Sequence, residues 1–465
     1  MQKKSPLFQK KIDPEEQEKA EQLKNVKPRF QTIKGMHDVL PEDHKYFSLM
    51  KKVVRHRARQ GGFRRITTPV LEVADLFRRG VGDSTDIVQK EMYEFEDKDG
   101  TQVALRPEGT AAAVRAYLEH GMHTWPQPVN LYYIEPFFRR DKPQKGRYRQ
   151  FWQFSLESIG EQDPVIDAQI IYIGWKILQD LGFAKDEMVV QLNTIGCPQC
   201  RADYIEVLKN YYIGKERSLC EDCVRRIKTN PLRLLDCKEE DCQILAQLAP
   251  KQKDYICKEC TEHHNLVKEY LEEMQIAYED NPNLVRGLDY YTKTVFEIWD
   301  RSDPKGKLTL IGGGRYDGLV ELLGGIPTPS FGFSAGMERI MERMIDKGVE
   351  VSDKDSVHAF LIQLGPEAKK KSLSLVDKLR EEGVKTMVAL GKGNLRSQLR
   401  LADKFGARFA LILGEMEIRE KSIIIREMSS GSQETVPLDH LLKTIKNYLD
   451  KDVKTLDKLK EKAQQ

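Results

Sequence analysis

No window of the sequence holds the roughly 18 consecutive apolar residues that a membrane-spanning helix needs, so no helical membrane protein is expected. The opening stretch MQKKSPLFQKKIDPEEQEKA has no apolar run either, and no secretory signal is expected there. An excess of charge of either sign is nearly missing too. Lys and Arg number 75 against 72 Asp and Glu, a formal +3, so the global balance selects no partner. A GxxxxGK[ST] phosphate loop is absent. Cysteine is absent everywhere except residues 197–260. A chain of this kind is expected in the reducing cytoplasm, where thiols ligate metal more often than they pair. What remains is charge-rich and globular: 40% hydrophobic and 32% charged, against a usual charged share of about a quarter. That composition excludes disordered and collagen-like classes. At about 150 residues per domain, 465 residues suggest about three domains, long enough to bury a sizeable core.

Residues 1–29 are polar, with eight basic against five acidic side chains, and read as an extension. Asp13-Pro14 followed by EEQEKAEQLK predicts a capped, mostly exposed helix. It is either a solvated tail or an RNA-binding arm. Globular composition runs from Gly35 to about Lys347, and GVEVSDKDS (348–356) reads as a linker. Strand-like VHAFLIQLG, helix-like PEAKKKSLSLVDKLREEG, VKTMVALG, NLRSQLRLADKFG, ARFALILG, SIIIREM and DHLLKTIKNYL then alternate. That alternation predicts a compact α/β domain of about 90 residues. Leu395, Leu399 and Ala402 form an apolar stripe on one of its helices, with Arg396, Arg400 and Lys404 off it. That face is either ordinary amphipathic surface or a basic surface for nucleic acid.

The eight cysteines come in four pairs: Cys197 and Cys200, Cys220 and Cys223, Cys237 and Cys242, Cys257 and Cys260. Three CxxC knuckles and one near-knuckle within 64 residues point to thiolate ligation of zinc, with reduced, metal-free cysteines or a redox role as the alternatives. Eight thiolates satisfy two tetrahedral sites. One site with spare thiols is also open, with His263 and His264 as substitute ligands. A closed four-thiolate site would be structural, since no coordination position is left for substrate.

Two strand-like runs flank a basic segment. In NLYYIEPFF, Tyr133, Glu135, Phe137 and the following Arg139 share one face by period-two alternation. In QFWQFSLES, Trp152, Phe154 and Leu156 share a core-like face. The opposite face, Phe151, Gln153, Ser155 and Glu157, offers a ring, an amide and a carboxylate. It is either a ligand surface or a solvated one. Between the runs, RRDKPQKGRYRQ carries six basic residues and one acid, a patch that can attract phosphates.

The string FFRRDKPQKGRYRQFWQFSLESIG resembles motif 2 of class II aminoacyl-tRNA synthetases, in the form of the histidyl-tRNA synthetase family. GFRRITTPVLE (62–72), with Pro69, resembles motif 1, and SFGFSAGMERI (330–340) resembles motif 3. TDIVQKEMYEFEDKDG and LRPEGTAAAVRAYLEHG resemble the family's intervening segments. LVRGLDYYTKTVFEIW (284–299) and GGGRYDGLVELLGG (312–325) resemble its two histidine-specific blocks, and NPLR…LDCK (230–238) also fits. The resemblance spans roughly residues 30–450 in the family's order.

It implies an α/β fold with an α+β catalytic core: an antiparallel sheet flanked by helices, a helical cysteine-rich insertion and a C-terminal α/β anticodon-binding domain. The implied division begins with an extension (1–29). The catalytic core follows in two segments, 30–195 and 283–347, split by the insertion (196–282). The anticodon-binding domain (355–450) and a charged tail (451–465) complete the chain. The implied activity is ligation of L-histidine to the 3′ end of histidine tRNA through histidyl-adenylate, with ATP, carried with Mg2+, as the substrate, in a homodimer joined at motif 1.

By the same resemblance, Arg139 holds the α-phosphate and the histidine carboxylate. Arg286 stabilises α-phosphate charge, and Arg339 lies on the adenine and reaches the γ-phosphate. Arginine suits the work because its planar fork binds phosphate oxygens in pairs and keeps its charge. Arg147, Tyr148, Phe151 and Gly336 are expected at ATP, with Gly332, Ser334 and Ala335 as further small residues where backbone nears nucleotide. Glu108, Gly109, Thr110 and Gln153 are expected around the histidine α-ammonium group, Glu157 and Tyr291 at the imidazole nitrogens, and Tyr290 along the pocket. Three positions depart from the family pattern: Asp141 replaces a usual glutamate, Arg140 a common histidine and Ser155 a usual glycine. Two other classes predict different chemistry. A histidine-binding regulatory subunit of ATP phosphoribosyltransferase would lack the C-terminal domain and some of the catalytic set. A zinc-dependent nucleic-acid-binding module would leave RGLDYY and GGGRYDGL unexplained.

Overall fold

The computed structural model describes residues 29–83, 85–144, 146–303, 308–351, 357–389, 391 and 393–449. The expected helix after Asp13-Pro14, the charged tail and most of the expected linker lie outside them. The chain divides into two compact units between residues 351 and 352.

In chain order the strands of the first unit are β1 (Arg64–Arg65), β2 (Leu71–Val73), β3 (Tyr93–Glu96), β4 (Gln102–Leu105), β5 (Val129–Phe138), β6 (Gln150–Ile159), β7 (Met188–Thr194), β8 (Tyr278–Asp280), β9 (Thr292–Asp300), β10 (Leu308–Arg315) and β11 (Ser330–Gly336). Eight of them form one sheet in the order β1-β5-β6-β11-β10-β9-β7-β8, antiparallel except for the pairs at its two edges. The remaining three, β2-β4-β3, form a small antiparallel sheet.

Helices cover one face of the large sheet. Helix α1 (Pro41–Gln60) begins at a proline with Glu42 and Asp43 in its first turn, and ends on Arg57, Arg59 and Gly61, the charge order its dipole favours. Phe47, Met50, Val54 and Ala58 recur at helical spacing and are its buried residues. Two helices follow, α2 (Ala74–Val81) and α3 (Thr110–Glu119). Helix α4 (Pro164–Asp180) is capped by Asp163, whose carboxylate accepts from the Val165 amide at 2.9 Å. Ile170, Ile171 and Trp175 of α4 join Phe47 and Val54 of α1 against Phe154, Phe296, Phe331 and Phe333 of the sheet.

The chain between β7 and β8 is the helical insertion, with α5 (Pro198–Tyr212), α6 (Glu221–Thr229), α7 (Glu240–Leu248) and α8 (Lys258–Glu273). Its Tyr204, Leu208, Tyr212, Leu232, Leu234 and Ala246 belong to one buried cluster with Leu131, Tyr290, Tyr291 and Tyr316 of the rest of the unit. Helix α9 (Met337–Asp346) follows β11 and closes the unit on the sheet's apolar face through Ile340 and Met344.

The second unit has strands β12 (Ala359–Gln363), β13 (Thr386–Val388), β14 (Phe409–Leu413), β15 (Ser422–Glu427) and β16 (Gln433–Pro437) in the order β13-β12-β14-β15-β16. Helices α10 (Pro366–Glu381), α11 (Leu395–Lys404) and α12 (441–449) complete the expected alternation. Strand β16 and a short helix at Glu415–Glu420 were not expected from sequence. The apolar stripe of α11 is also narrower than expected. Ala402 is buried and Leu399 partly so, but Leu395 is exposed and Gln398 is buried instead. The Gln398 amide accepts from the Gln363 amide at 2.9 Å and donates to the Gln363 carbonyl at 2.8 Å, which removes the cost of burying it.

Candidate active site

Strand pairing lays the polar alternate residues of five strands on the sheet face opposite α1 and α4. Tyr133 and Glu135 of β5 lie across from Ser155 and Gln153 of β6. Glu157, Ser155 and Gln153 in turn lie across from Gly332, Ser334 and Gly336 of β11. Gly312 of β10 faces Glu297 of β9. The face is a trough with small residues along its floor. Ser155 and Glu157 are almost wholly buried, so the solvated alternative for this set does not hold. Trp152, Phe154 and Leu156 point the other way, into the core or against it.

Glu157 is 1% exposed. Oε1 accepts from the hydroxyls of Thr110 at 2.9 Å and Tyr133 at 2.8 Å, and Oε2 accepts from the Tyr316 hydroxyl at 2.6 Å. Burial pushes its pKa up to about 7, against the pull of the three hydroxyls. A carboxylate has about four acceptor sites. Three are used, and the fourth can take a donor from a ligand. A Cβ on Gly332 would collide with Oε2, so this carboxylate fits only over glycine.

Glu108 accepts from the amides of Thr110 at 2.8 Å and Ala111 at 2.9 Å, at the start of α3. Burial raises its pKa, opposed by those amides and by Arg139. A Cβ on Gly109 would run into the Tyr133 ring, so the RPEGT turn lies against Tyr133. Tyr290 and Tyr291 are both buried, with ring centres 4.7 Å apart, and Tyr290 meets Tyr316 edge-on at 5.6 Å. Gly314 of β10 lies beneath the Tyr291 ring. The structure thus brings Glu108, Gly109, Thr110, Glu157, Tyr290 and Tyr291 into one neighbourhood, with Gln153 farther along β6.

The three arginines border it. Arg139 donates from Nε to the Pro107 carbonyl at 2.8 Å, and its guanidinium carbon lies 5.5 Å from the centre of the Phe151 ring. Burial lowers its pKa, opposed by Glu91 and Glu108. Arg286 pairs with Glu297, and a Cβ on Gly312 would enter its guanidinium. The other oxygen of Glu297 accepts from Trp299 Nε1 at 2.6 Å and Thr309 Oγ1 at 2.7 Å. Arg339 donates to the Thr309 carbonyl at 2.9 Å, so Thr309 joins the two arginines' networks.

In the basic loop, Arg147 faces Asp141 at 3.4 Å, and the Tyr148 hydroxyl donates to Glu342 at 2.6 Å. Burial, then Glu342, push the Tyr148 pKa up to about 12. Beside Gly336 a Cβ would meet nothing within 4 Å, so open space adjoins it. The departing residues find partners within the chain: Ser155 shares a 2.7 Å hydroxyl contact with Ser334, and the exposed Arg140 donates its amide to the Glu91 carbonyl at 2.6 Å.

The thiols gather in two quartets. One holds Cys197, Cys200, Cys257 and Cys260, the other Cys220, Cys223, Cys237 and Cys242, with all Sγ atoms of each within 4.8 Å of one another. Sγ separations of 3.5 Å (Cys197 to Cys200) and 3.9 Å (Cys220 to Cys237) bracket the ~3.8 Å edge of a tetrahedron with zinc–sulfur bonds of about 2.3 Å. Backbone amides of Cys197, Cys257 and Cys220 donate to Sγ of Cys260, Cys200 and Cys242, as thiolate acceptors require. The donor set therefore fits zinc twice. The histidines considered as substitutes are engaged elsewhere. His263 meets Asp167 at 2.9 Å, and His264 faces Asp280 at 3.4 Å.

Sequence reasoning missed Tyr133, Tyr316 and Glu297. Tyr316 lies inside GGGRYDGL, and Tyr133 becomes a neighbour of Glu157 once β5 is paired with β6. It also missed the buried ion pair of Arg106 with Glu135 beside them, and that of Arg315 with Asp167, where Arg315 further donates to the Glu161 carbonyl at 3.0 Å.

The sequence model described as "Histidyl-tRNA synthetase" matches residues 35–340, and that described as "Anticodon binding domain" matches residues 358–448. A protein of Dehalococcoides mccartyi named "Histidine--tRNA ligase" is 45% identical over 420 residues, 90% of this chain and all of that one. One of the same name from Aquifex aeolicus is 45% identical over 412 residues, 89% of this chain and all of that one. Among solved structures, the apo histidyl-tRNA synthetase of S. aureus superposes with a TM-score of 0.76 at 33% identity, covering 90% of this chain and all of that one.

Proposed function

Because this chain belongs to the histidyl-tRNA synthetase family, we propose that the trough over β5, β6, β11, β10 and β9 is where its two half-reactions occur. The chain is a ligase. It joins L-histidine to ATP, giving histidyl-adenylate and pyrophosphate, and passes histidine to the 3′ end of histidine tRNA. In the first half-reaction a histidine carboxylate oxygen attacks the α-phosphorus and the bond to pyrophosphate breaks. In the second a hydroxyl of the terminal adenosine attacks the histidyl carbonyl and AMP leaves. Catalysis of such steps rests on positioning and on cations at the phosphorus. ATP enters with Mg2+, which neutralises phosphate charge.

Histidine binds with its imidazole toward Glu157 and Tyr291. The observation that carries this assignment is the Glu157 carboxylate, buried, ringed by three hydroxyls and left with one acceptor site. A side chain lacking an N–H there would strand a buried acceptor, which is how such a site rejects other amino acids. The α-ammonium group lies toward Glu108, Gly109, Thr110 and Gln153. Arg139 and Arg286 hold the α-phosphate, Arg139 also holds the histidine carboxylate, and Tyr290 lines the pocket. Arg339, Arg147, Tyr148, Phe151 and Gly336 hold ATP, and the open space beside Gly336 supports that choice. Each thiolate quartet binds a structural zinc ion. Thiols without disulfides fit a reducing cytoplasm, and no helix of the described residues is long and apolar enough to cross a membrane.

The working enzyme is a homodimer. Val70 and Leu71 of motif 1, Val73 just after it and Phe95 of β3 leave apolar side chains exposed on and beside the small sheet, a surface a second copy would cover.

The test is ATP–pyrophosphate exchange with each of the twenty amino acids, without tRNA. Exchange with histidine alone is expected. Histidine binding without exchange would overturn the assignment of the trough.

A further inference from the structure

The backbone between β8 and β9 carries Arg286, Tyr290 and Tyr291 without regular secondary structure of its own. Something outside the segment must hold it, because a loop of this kind has few internal constraints. Some of the holds come from the core, where the Asp289 amide donates to the Val81 carbonyl at 3.1 Å and Asn193 Nδ2 to the Leu284 carbonyl at 2.9 Å; the others come from the insertion, from residues beside or between the cysteines.

Arg201 follows Cys200 directly. Its Nη1 donates to the Asp289 carbonyl at 2.8 Å and the Tyr291 carbonyl at 3.1 Å. Gly196 precedes Cys197, and its carbonyl accepts from Thr292 Oγ1 at 3.0 Å and from the Lys293 amide at 2.8 Å. Lys293 reaches Glu259, between Cys257 and Cys260, at 2.8 Å. These clamps belong to the first quartet. The second quartet encloses another set. Asn230, between Cys223 and Cys237, donates from Nδ2 to Asp289 Oδ1 at 2.6 Å. Arg233 of the same stretch lies against Gly287, where a Cβ would come within 2.7 Å of its Nη1. Thus the residues bordering or enclosed by both quartets grip one segment from two sides.

We propose that the two thiolate quartets, when metallated, act as positioning sites for the histidine-side loop. Zinc at the second quartet fixes the stretch from Asn230 to Cys237. That stretch holds Asp289 and Gly287, and through them Arg286. Zinc at the first quartet fixes Arg201 and Gly196, and through them Tyr291. Metal occupancy then sets the rate of histidine activation and the affinity for histidine, not only the stability of the insertion. This rests on the reading of the quartets as zinc sites. Asn230 and Arg201 are positioning residues, since neither is assigned to substrate.

The test uses the full chain purified without chelator. Elemental analysis is expected to find two zinc ions per chain, and one in the C220S/C223S variant. Asn230→Ala and Arg201→Met leave all eight thiols in place and are expected to keep both ions and the wild-type far-UV circular dichroism. Their exchange kcat is expected to fall about tenfold or more, as small misplacements near reacting groups do. Calorimetric affinity for histidine without ATP should weaken, while the KM for ATP stays. A merely structural insertion would lower the melting temperature and leave kcat and histidine affinity of the folded protein alone. Less than one zinc per chain would overturn the zinc reading and the proposal with it. Two zinc ions with unchanged kcat and histidine affinity in both Asn230→Ala and Arg201→Met would overturn the positioning role alone, whether or not C220S/C223S folds.

Discussion

Tyr316 donates its hydroxyl to Oε2 of Glu157 across 2.6 Å, and both groups are buried. The Glu157 pKa of about 7, against an ordinary glutamate near ~4.3, places its ionisation inside the working pH range. The anion is the form that accepts an imidazole N–H. The KM for histidine is therefore expected to fall as pH rises from 6 to 8. Tyr316→Phe removes a donor that stabilises the anion, so the midpoint should move to higher pH. Glu157→Gln should leave only the titration of the free substrate, whose imidazole lies near ~6.5. The check is exchange kinetics over pH in all three proteins. An identical midpoint in Tyr316→Phe would contradict the assignment.

Glu338 makes a second prediction, on stability. Both its oxygens accept from the Trp152 amide, at 2.8 and 3.0 Å, and burial raises its pKa to about 7. A carboxyl whose folded pKa lies above its unfolded value favours the protonated native state. Its contribution is complete below ~4.3 and is lost as pH rises through about 7. Glu338→Gln cannot ionise, so denaturant midpoints of this variant should decline less between pH 5 and 8 than those of the parent chain.

Arg286→Ala is expected to abolish adenylation, by about 10²–10³-fold or more, with the protein still folded. Glu297 loses the partner of one oxygen but keeps Trp299 and Thr309 as donors to the other, so its carboxylate stays anchored without Arg286. Exchange rates and circular dichroism measured on the same preparation check this. Retained exchange would remove Arg286 from the chemistry.

Gly332→Ala tests the trough floor. The added methyl would meet the Glu157 carboxylate and also the Leu156 carbonyl, 2.7 Å away. Relief requires shifting β6 or rotating Glu157 away from its three hydroxyls. Overpacking of this kind costs about 1–3 kcal/mol. The melting temperature should fall, and histidine affinity should fall more than ATP affinity.

The features of this site that sequence exposes are those with local spacing. Cysteine pairs with two or four residues between them are readable because a knuckle is a local turn. Which pair joins which is not, because Cys197 and Cys260 meet only after α5 to α8 have folded. The alternation in QFWQFSLES marks a polar face correctly, but alternation does not say what covers that face. Tyr133 and Tyr316 therefore look like ordinary aromatic strand residues until β5, β6, β10 and β11 are paired. Glu297 is hidden for the same reason. Buried pairs such as Arg315 with Asp167 join residues 148 apart, and no periodicity carries that distance. In the second unit, the strand–helix alternation is legible because each element is amphipathic or fully buried. Gln398 escapes it because a buried amide breaks the hydrophobic pattern while satisfying its own hydrogen bonds.

The pairing of β7 with β8 is parallel, and a parallel neighbour can be reached only by carrying the chain back along the strand. Any such return path needs a dozen or so residues, usually one helix. Here it takes residues 195–277, and α8 is the element of it that lies against α4 and the sheet. The whole insertion is thus an overgrown return path. From twelve residues to 83 is fewer than three doublings, which adds only ~1.7 kcal/mol of closure entropy at ~0.6 kcal/mol each. The pairs of the ladder itself are made by residues outside that path, while its Gly196, Arg201 and Glu259 hold the start of β9 and the loop before it. Between those anchor points the junction is where length is cheap to add or shed, and where a designer could graft a foreign segment.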